Sequence, residues 1–295
     1  METTGCGTAL ITPFLEDGSL DSPSLTSLVN WQVASGINFL VVCGSTGEAA
    51  TLDEPEWLQA ISIVVEATRG RVPVYAGCTH NSTHTLLRQA AKLHRTGIDG
   101  VLSASPYYNK PSQEGQFHHF AALASAVAPL PVILYNVPGR TGVNLAPETV
   151  LRLAQAHPNI QAVKEASGNL AQLAELVRIL PPDFKIFSGD DNIALPAIEA
   201  GASGLISVAS NEIPAELTRL VQAALHHDWP TARQLEQKYM PLFLANFWES
   251  NPAPVKTILN RMGRCTPTLR LPLVPPTPVV QHKLELLATD LGLIP

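Results

Sequence analysis

The sequence predicts an α/β chain folded as a (β/α)8 TIM barrel with a C-terminal helical extension. Three observations carry this expectation. Short runs rich in Val, Ile, Leu and Ala occur eight times, at intervals of about 30 residues that shorten to about 20 late in the chain. Segments with helical periodicity fill the intervals. Alternating strand and helix units imply a parallel sheet, and eight of them imply closure into a barrel, which takes about 250 residues. A doubly wound open sheet is the structural competitor.

In chain order, the strand candidates begin with GTALITPF from Gly7, FLVVCG from Phe39, VPVYAG from Val72 and GVLSASP from Gly100. PVILYNV from Pro131, IQAVKEA from Ile160, FKIFSGD from Phe184 and GLISVAS from Gly204 complete the eight. SLTSLVNWQVASG and LAQLAELVRIL show the helical period between strands. DSPSL at 21–25, APETV at 146–150 and EIPAEL at 212–217 are helix starts with proline near the first turn. The barrel closes near Ser210. Beyond it, PTARQLEQKYMPLFLANFW, APVKTILNRMG and PVVQHKLELLATDLG read as three added helices. The expected organisation is a catalytic barrel over 1–225 and a helical extension over 226–295, packed on the barrel. The proline-rich PTLRLPLVPPTP at 267–278 reads as an ordered connection.

Composition bounds the function. The 295 residues are 45% hydrophobic and 15% charged, with 19 Lys and Arg against 25 Asp and Glu, for a net charge of −6. No basic run exists to neutralise phosphates, which argues against nucleic acid as a partner. No apolar stretch is long enough to span a bilayer, and METTGCGTALITPF lacks the pattern of a signal peptide. A cytoplasmic protein with no membrane partner is the expectation. Cys6, Cys43, Cys78 and Cys265 are far apart and read as reduced thiols.

A barrel of this kind carries its site at the carboxyl ends of the strands. Collected there are Ser45 and Thr46 in GSTGE, Tyr107 and Tyr108 in PYYN, and Tyr135 and Arg140 in YNVPGRTG. Lys164 lies on the sixth strand, Gly189 and Asp190 in SGDD, and Ile206 and Ser207 on the eighth. GSTGE lacks the lysine of a phosphate-binding loop, so nucleotide binding is not expected. It is either a strand-to-helix turn with a capping hydroxyl or a cradle for a carboxylate. Arg140 is either solvated or a bidentate carboxylate clamp. His80 and His84 have the i, i+4 spacing without the glutamate of a zinc motif, and no metal is expected there. The HH pairs at 118–119 and 226–227 read as solvated helical residues, and SGDD as a helix cap.

Lys164 interrupts an apolar strand, IQAVKEASG. It either snorkels or pairs with Glu165, or is a neutral amine kept as a nucleophile for a carbonyl. Alternation puts it with Ala162 and Ala166, small residues that leave room for a substrate. Burial and a nearby arginine favour the uncharged amine. An imine formed on it withdraws electrons, so that an adjacent carbon deprotonates and attacks an aldehyde, with Tyr135 placed to shuttle the proton.

The set GSTGE, PYYNKPSQEG, YNVPGRTG, VKEASGN, SGDD and NPAPVK, in this order and over nearly the whole chain, resembles the dihydrodipicolinate synthase and N-acetylneuraminate lyase family of class I pyruvate-dependent aldolases. YNVPGRTG and PYYNKPSQEG resemble its synthase branch, which joins pyruvate to aspartate semialdehyde in the lysine pathway. The resemblance implies that Lys164 forms the Schiff base and that Tyr135, Ser45 and Tyr108 relay protons, Tyr108 reaching into a neighbouring subunit's site. It implies Thr46 at the pyruvate carboxylate, Arg140 at the semialdehyde carboxylate, the Gly189 and Ile206 backbone along the pocket, and Tyr107 at a dimer interface. No metal or organic cofactor is needed. A homo-oligomer is implied, either a dimer or a dimer of dimers. The rivals are a sister aldolase acting on a sugar acid or 4-hydroxy-2-oxoglutarate, and a barrel that only binds a 2-oxo acid.

Two departures stand out. Ser45 falls where the synthase branch usually has threonine; it keeps the hydroxyl but loses the methyl that restricts χ1. Where lysine-inhibited relatives carry polar ligands, this chain has Glu54, Trp57 and Thr85, with Asn81 and Tyr107 remaining. Weak or absent lysine inhibition is expected.

Overall fold

Eight parallel strands close on themselves in sequence order, each paired with the next and the last with the first. The structure is a computed structural model describing residues 3–295. The first half of the chain runs β1 (Gly5–Ala9), α1 (Ser22–Ala34), β2 (Phe39–Val42), α2 (Glu54–Thr68), β3 (Val74–Gly77), α3 (Thr83–Leu93), β4 (Gly100–Ala104) and α4 (Gln113–Val127). Then come β5 (Val132–Asn136), the single turn α5 (Pro138–Thr141), α6 (Pro147–Ala156), β6 (Ile160–Glu165), α7 (Leu170–Ile179), β7 (Lys185–Ser188), α8 (Ala194–Glu199), β8 (Gly204–Ser207) and α9 (Pro214–Leu225). Three further helices follow: α10 (Trp229–Ala245), α11 (Ala253–Arg261) and α12 (Pro278–Asp290).

All eight predicted strands are present. β1 is displaced from its prediction, starting at Gly5 and ending at Ala9; the chain over 10–13, with Pro13 lacking an N–H, continues as a loop, and Phe14 makes an isolated antiparallel bridge to Leu20. Helix starts follow the local chemistry. Asp21 caps α1 by accepting from the Ser24 N–H at 3.0 Å. Asp53 and Glu56 form a reciprocal capping box at α2. α6 and α9 open on Pro147 and Pro214.

The strands separate two cores. Their outer faces pack on the helices through residues such as Val42, Val101, Leu134, Val163 and Leu205. Their inner faces supply Phe39, Tyr75, Leu102, Ile133, Tyr135, Ala162, Phe187 and Ile206. Phe39 meets Tyr75 and Phe187 edge-on, with centroids 5.7 and 5.3 Å apart. These rings fit because Gly7 and Gly100 lie beneath them; a Cβ on Gly7 would fall 2.2 Å from the Phe39 ring. Fully burying each such side chain contributes about 1.5–3 kcal/mol.

One irregularity matters for function. Val132 pairs with Ile160 but Ile133 pairs with Ala162, so Gln161 is an extra residue in β6. Ile160 therefore packs in the outer core, whereas Ala162 and the residues in phase with it turn inward. The bulge puts Lys164 inside the ring.

The proline-rich connection is tied down. Arg270 donates to both Glu56 carboxylate oxygens, at 2.6 and 2.5 Å, and to the Gly18 carbonyl. The Thr277 hydroxyl donates to Glu249. The histidine pairs are solvated as expected except at His119; His226 and His227 are exposed. His118 is exposed, but His119 is buried, accepts or donates at Nδ1 with the Thr83 hydroxyl, and has its pKa lowered to about 4 by burial and by nearby His80. The α4 face that carries it packs against α3. His226 and His227 lie past the end of α9, with His227 at φ 60°.

Candidate active site

The upper barrel is under-filled. Below, aromatic rings occupy the axis; above, small residues Ala9, Ala166 and Gly189 share the lining with Val41, Leu102, Tyr135 and Lys164. The resulting cavity, about 80 Å³, is walled by β-strand ends and their loops, with Lys164, Tyr135, Ser45, Thr46, Arg140 and Gly189 all on its lining.

Lys164 is 5% exposed, and its Nζ lies 4.5 Å from the centre of the Tyr135 ring. The two residues are register partners on β5 and β6. Glu165 is not the partner of Lys164. It points to the opposite strand face, where Asn136 Nδ2 donates to both its oxygens, at 3.2 and 3.0 Å. Gln172 Nε2 and the Ser167 N–H add donors at 2.9 and 2.8 Å. That carboxylate is satisfied without the amine, which removes the lysine–glutamate pair as an explanation of Lys164.

Gly189 is required by space. A Cβ there would lie 2.5 Å from Ala166 Cβ and 2.9 Å from Lys164 Cε. The acids that follow act at a distance. Burial pushes the Asp190 carboxyl above its usual range, partly offset by Lys164. Burial also raises Asp191, opposed first by its hydrogen bond from Ser207. The sequence reading made SGDD a cap for its own following helix. Instead, Asp191 receives the Ser207 hydroxyl at 2.5 Å and the N–H groups of Val208 and Ala209 at 3.1 and 3.0 Å, tying the end of β7 to the turn after β8.

GSTGE is likewise not a simple helix cap. Thr46 is buried, and its Oγ1 accepts from Asn251 Nδ2 at 2.9 Å. Its own O–H therefore remains available to the cavity. Ser45 shares the cavity wall with Tyr135. Arg140 sits in the short helix α5 rather than an open loop, and donates to the Asn251 carbonyl at 3.4 Å. Asn251 thus touches both groups suited to a carboxylate.

Three predicted residues lie apart. Tyr108 is 87% exposed at φ 74°, a region costing a bulky residue about 1–3 kcal/mol, and it faces away from this cavity. Tyr107 is 39% exposed beside His80. Ile206 is wholly buried in the inner core, below the lining. The sequence reading missed Asn251 and Phe247, which line the cavity from the segment between α10 and α11. NPAPVK was a visible motif, but nothing in its residues says that it folds over the barrel mouth. His80 Nδ1 accepts from the Ser82 N–H at 2.9 Å, a turn contact. Among the described residues, no group of three or more His, Cys, Asp or Glu side chains could hold a metal ion.

An amine at the axis of a closed barrel, with a phenol against it and a guanidinium at the mouth, suits covalent capture of a small oxo acid. Fold and site together suit a lyase of the Schiff-base class. The model of the dihydrodipicolinate synthetase family matches residues 2–290, and the chain belongs to that family. It is 54% identical over its full length to the 4-hydroxy-tetrahydrodipicolinate synthase of Acidobacterium capsulatum, covering 97% of that protein. It is 52% identical, again over its full length, to the enzyme of that name from Koribacter versatilis, covering 98% of it. A crystal structure of a dihydrodipicolinate synthase, 43% identical, superposes with a TM-score of 0.96 over 99% of this chain and 100% of that one. Among the described residues, no helix is long and apolar enough to cross a membrane.

Proposed function

We infer that this chain is a 4-hydroxy-tetrahydrodipicolinate synthase, condensing pyruvate with L-aspartate 4-semialdehyde. One observation carries the reading: Lys164 is enclosed in the barrel against Tyr135, with no carboxylate of its own strand to hold it. The names borne by relatives at 54% and 52% identity support the choice of substrates.

The amine of Lys164 adds to the pyruvate C2 carbonyl and expels water, leaving an imine. Loss of a proton from C3 gives the enamine, whose C3 bonds to the aldehyde carbon. The amino group of the second substrate then adds to the imine carbon and releases the lysine. Tyr135 and Ser45 move the protons, with Tyr108 supplied by a neighbouring copy. The exposure of Tyr108 in a single chain supports that last role and a homodimer or dimer of dimers. Thr46 receives the pyruvate carboxylate and Arg140 that of the aldehyde. The Gly189 position shapes the wall around the amine, and Ile206 packs in the core beneath it. In this reading, residues 1–225 form the catalytic barrel and 226–295 an extension that contributes Phe247 and Asn251, in a cytoplasmic enzyme.

Borohydride reduction with pyruvate, followed by peptide mass spectrometry, tests the chemistry: an adduct is expected on Lys164, and its absence favours a mere binder. Offering pyruvate with several aldehydes tests the substrate. Preference for a sugar aldehyde over aspartate semialdehyde would overturn the synthase assignment in favour of a sister aldolase.

A further inference from the structure

Lys256 is a second buried lysine, and the chemistry above makes no use of it. It is wholly inaccessible, as is its partner Glu48, and the Nζ–Oε1 distance is 2.5 Å. Nζ also donates to the Thr268 carbonyl at 2.9 Å and lies 4.3 Å from the centre of the Phe14 ring. The other Glu48 oxygen accepts the Arg270 backbone N–H at 3.2 Å.

Glu48 ends GSTGE, and its backbone is left-handed, at φ 51°. Three successive residues of this turn are gripped from outside it. Asn251 holds Thr46, the Thr12 hydroxyl donates to the Gly47 carbonyl at 2.6 Å, and Lys256 with Arg270 holds Glu48. Two of the three grips come from the C-terminal extension. A buried ion pair is a poor means of stabilising a fold, because a well-packed apolar pair often does as well or better. What it supplies is direction: the charged partners accept only a narrow arrangement.

We propose that the Lys256–Glu48 pair is a positioning latch through which the C-terminal extension fixes the Thr46 turn for the carboxylate of the 2-oxo acid. This rests on the assignment of Thr46 to the pyruvate carboxylate. The latch acts on the first substrate and not the second, because the turn carries Thr46 whereas Arg140 belongs to α5, which Lys256 does not touch.

The test uses the double variant Glu48→Gln/Lys256→Gln, which removes both charges together, and Arg270→Lys, which keeps the backbone N–H to Glu48 but weakens the side-chain anchor to Glu56 and the Gly18 carbonyl that holds it there. Arg261→Ala, which breaks the surface pair with Glu285 between α11 and α12, is the control. Borohydride trapping at graded pyruvate concentrations gives half-saturation, steady-state kinetics give KM for each substrate, and thermal melting reports folding. The double variant is expected to raise pyruvate half-saturation and KM about tenfold, and Arg270→Lys several-fold. The KM for the aldehyde and the control should stay within about twofold. Folded variants with unchanged pyruvate half-saturation, or with both KM values rising alike, would overturn the latch. If the double variant does not fold, the single variant Glu48→Gln, which keeps the side-chain shape and removes the carboxylate charge, decides together with Arg270→Lys. Wild-type protein that traps no pyruvate would instead sink the underlying site assignment, and the latch with it.

Discussion

Gly189→Ala is the sharpest probe of the site, because it adds one carbon where the structure has no room. The new Cβ would lie 2.5 Å from Ala166 Cβ and 2.9 Å from Lys164 Cε. Carbon atoms settle at about 3.5–4.0 Å, so the two contacts are short by roughly 1 and 0.6 Å. Gly189 does not have a positive φ, so the substitution is a test of space and not of backbone strain. Ala166 has no rotamer to change. The strain must be taken up by a shift of the turn or by displacement of the lysine stem. Overpacking of this kind costs about 1–3 kcal/mol of stability, a melting shift of several degrees. Displacing a reacting atom by about 1 Å costs roughly 100-fold in rate. The expected result is a folded protein whose trapping rate with pyruvate falls about 100-fold. A Gly189→Ala protein that traps pyruvate at the wild-type rate would refute the claim that this wall holds Lys164 in place.

Three further predictions follow from the same geometry. Tyr135→Phe keeps the ring against Lys164 and removes only the hydroxyl; imine formation should slow by about 10²–10⁴ with the melting temperature little changed, and trapping kinetics beside a thermal melt check both. Glu212 is buried, its carboxyl raised well above the usual range by burial and by Asp191, against one hydrogen bond from Asn246 Nδ2 at 2.7 Å. A raised carboxyl is best tolerated when protonated, so its stabilising share is present below the ordinary glutamate pKa and lost as pH rises toward the raised value. Glu212→Gln should therefore melt higher than wild type at pH 8 and lose that advantage at pH 4; a gain that grows on acidification would reverse the argument. For lysine, Trp57 is buried with Nε1 donating to the Gly77 carbonyl at 2.9 Å, and Glu54 is paired with Lys92. Titrating the enzyme with lysine should give weak or no inhibition, and strong inhibition below about millimolar would contradict this.

What the sequence made legible was whatever repeats. Each strand is an apolar run bounded by turn residues, so eight runs at even spacing expose the barrel. Placement at strand ends then gathers Ser45, Thr46, Tyr135, Arg140, Lys164 and Gly189, which do share one cavity. Asn251 and Phe247 were not legible, because their place depends on how the segment between α10 and α11 crosses the barrel mouth, and no local period encodes that. His119 runs against its reading for a related reason: HH looks polar, but α4 turns one histidine to solvent and buries the next against α3. The bulge at Gln161 was also hidden, although it decides which residues of β6 turn inward.

Lys164 and Glu165 show why a cavity and a rigid frame can coexist on one strand. Neighbouring strand residues face opposite ways. The outward face carries Glu165, held by Asn136, Gln172 and the Ser167 N–H; Asn136 Oδ1 in turn accepts from the Leu145 N–H at 2.9 Å, and Asn144 joins Asn136 to Gln172. Such a closed set of buried polar groups rigidifies what it binds, since breaking any member leaves another unpaired. Asn136 and Glu165 are themselves register partners, one step along from Tyr135 and Lys164. The network therefore fixes the phenol–amine spacing from behind, while the inward face stays free to be under-packed at Ala166 and Gly189. A packed barrel interior would bury more apolar surface, but it would leave the amine no carbonyl to meet. The site exists where the fold gives up interior packing and recovers rigidity on the other side of the same two strands.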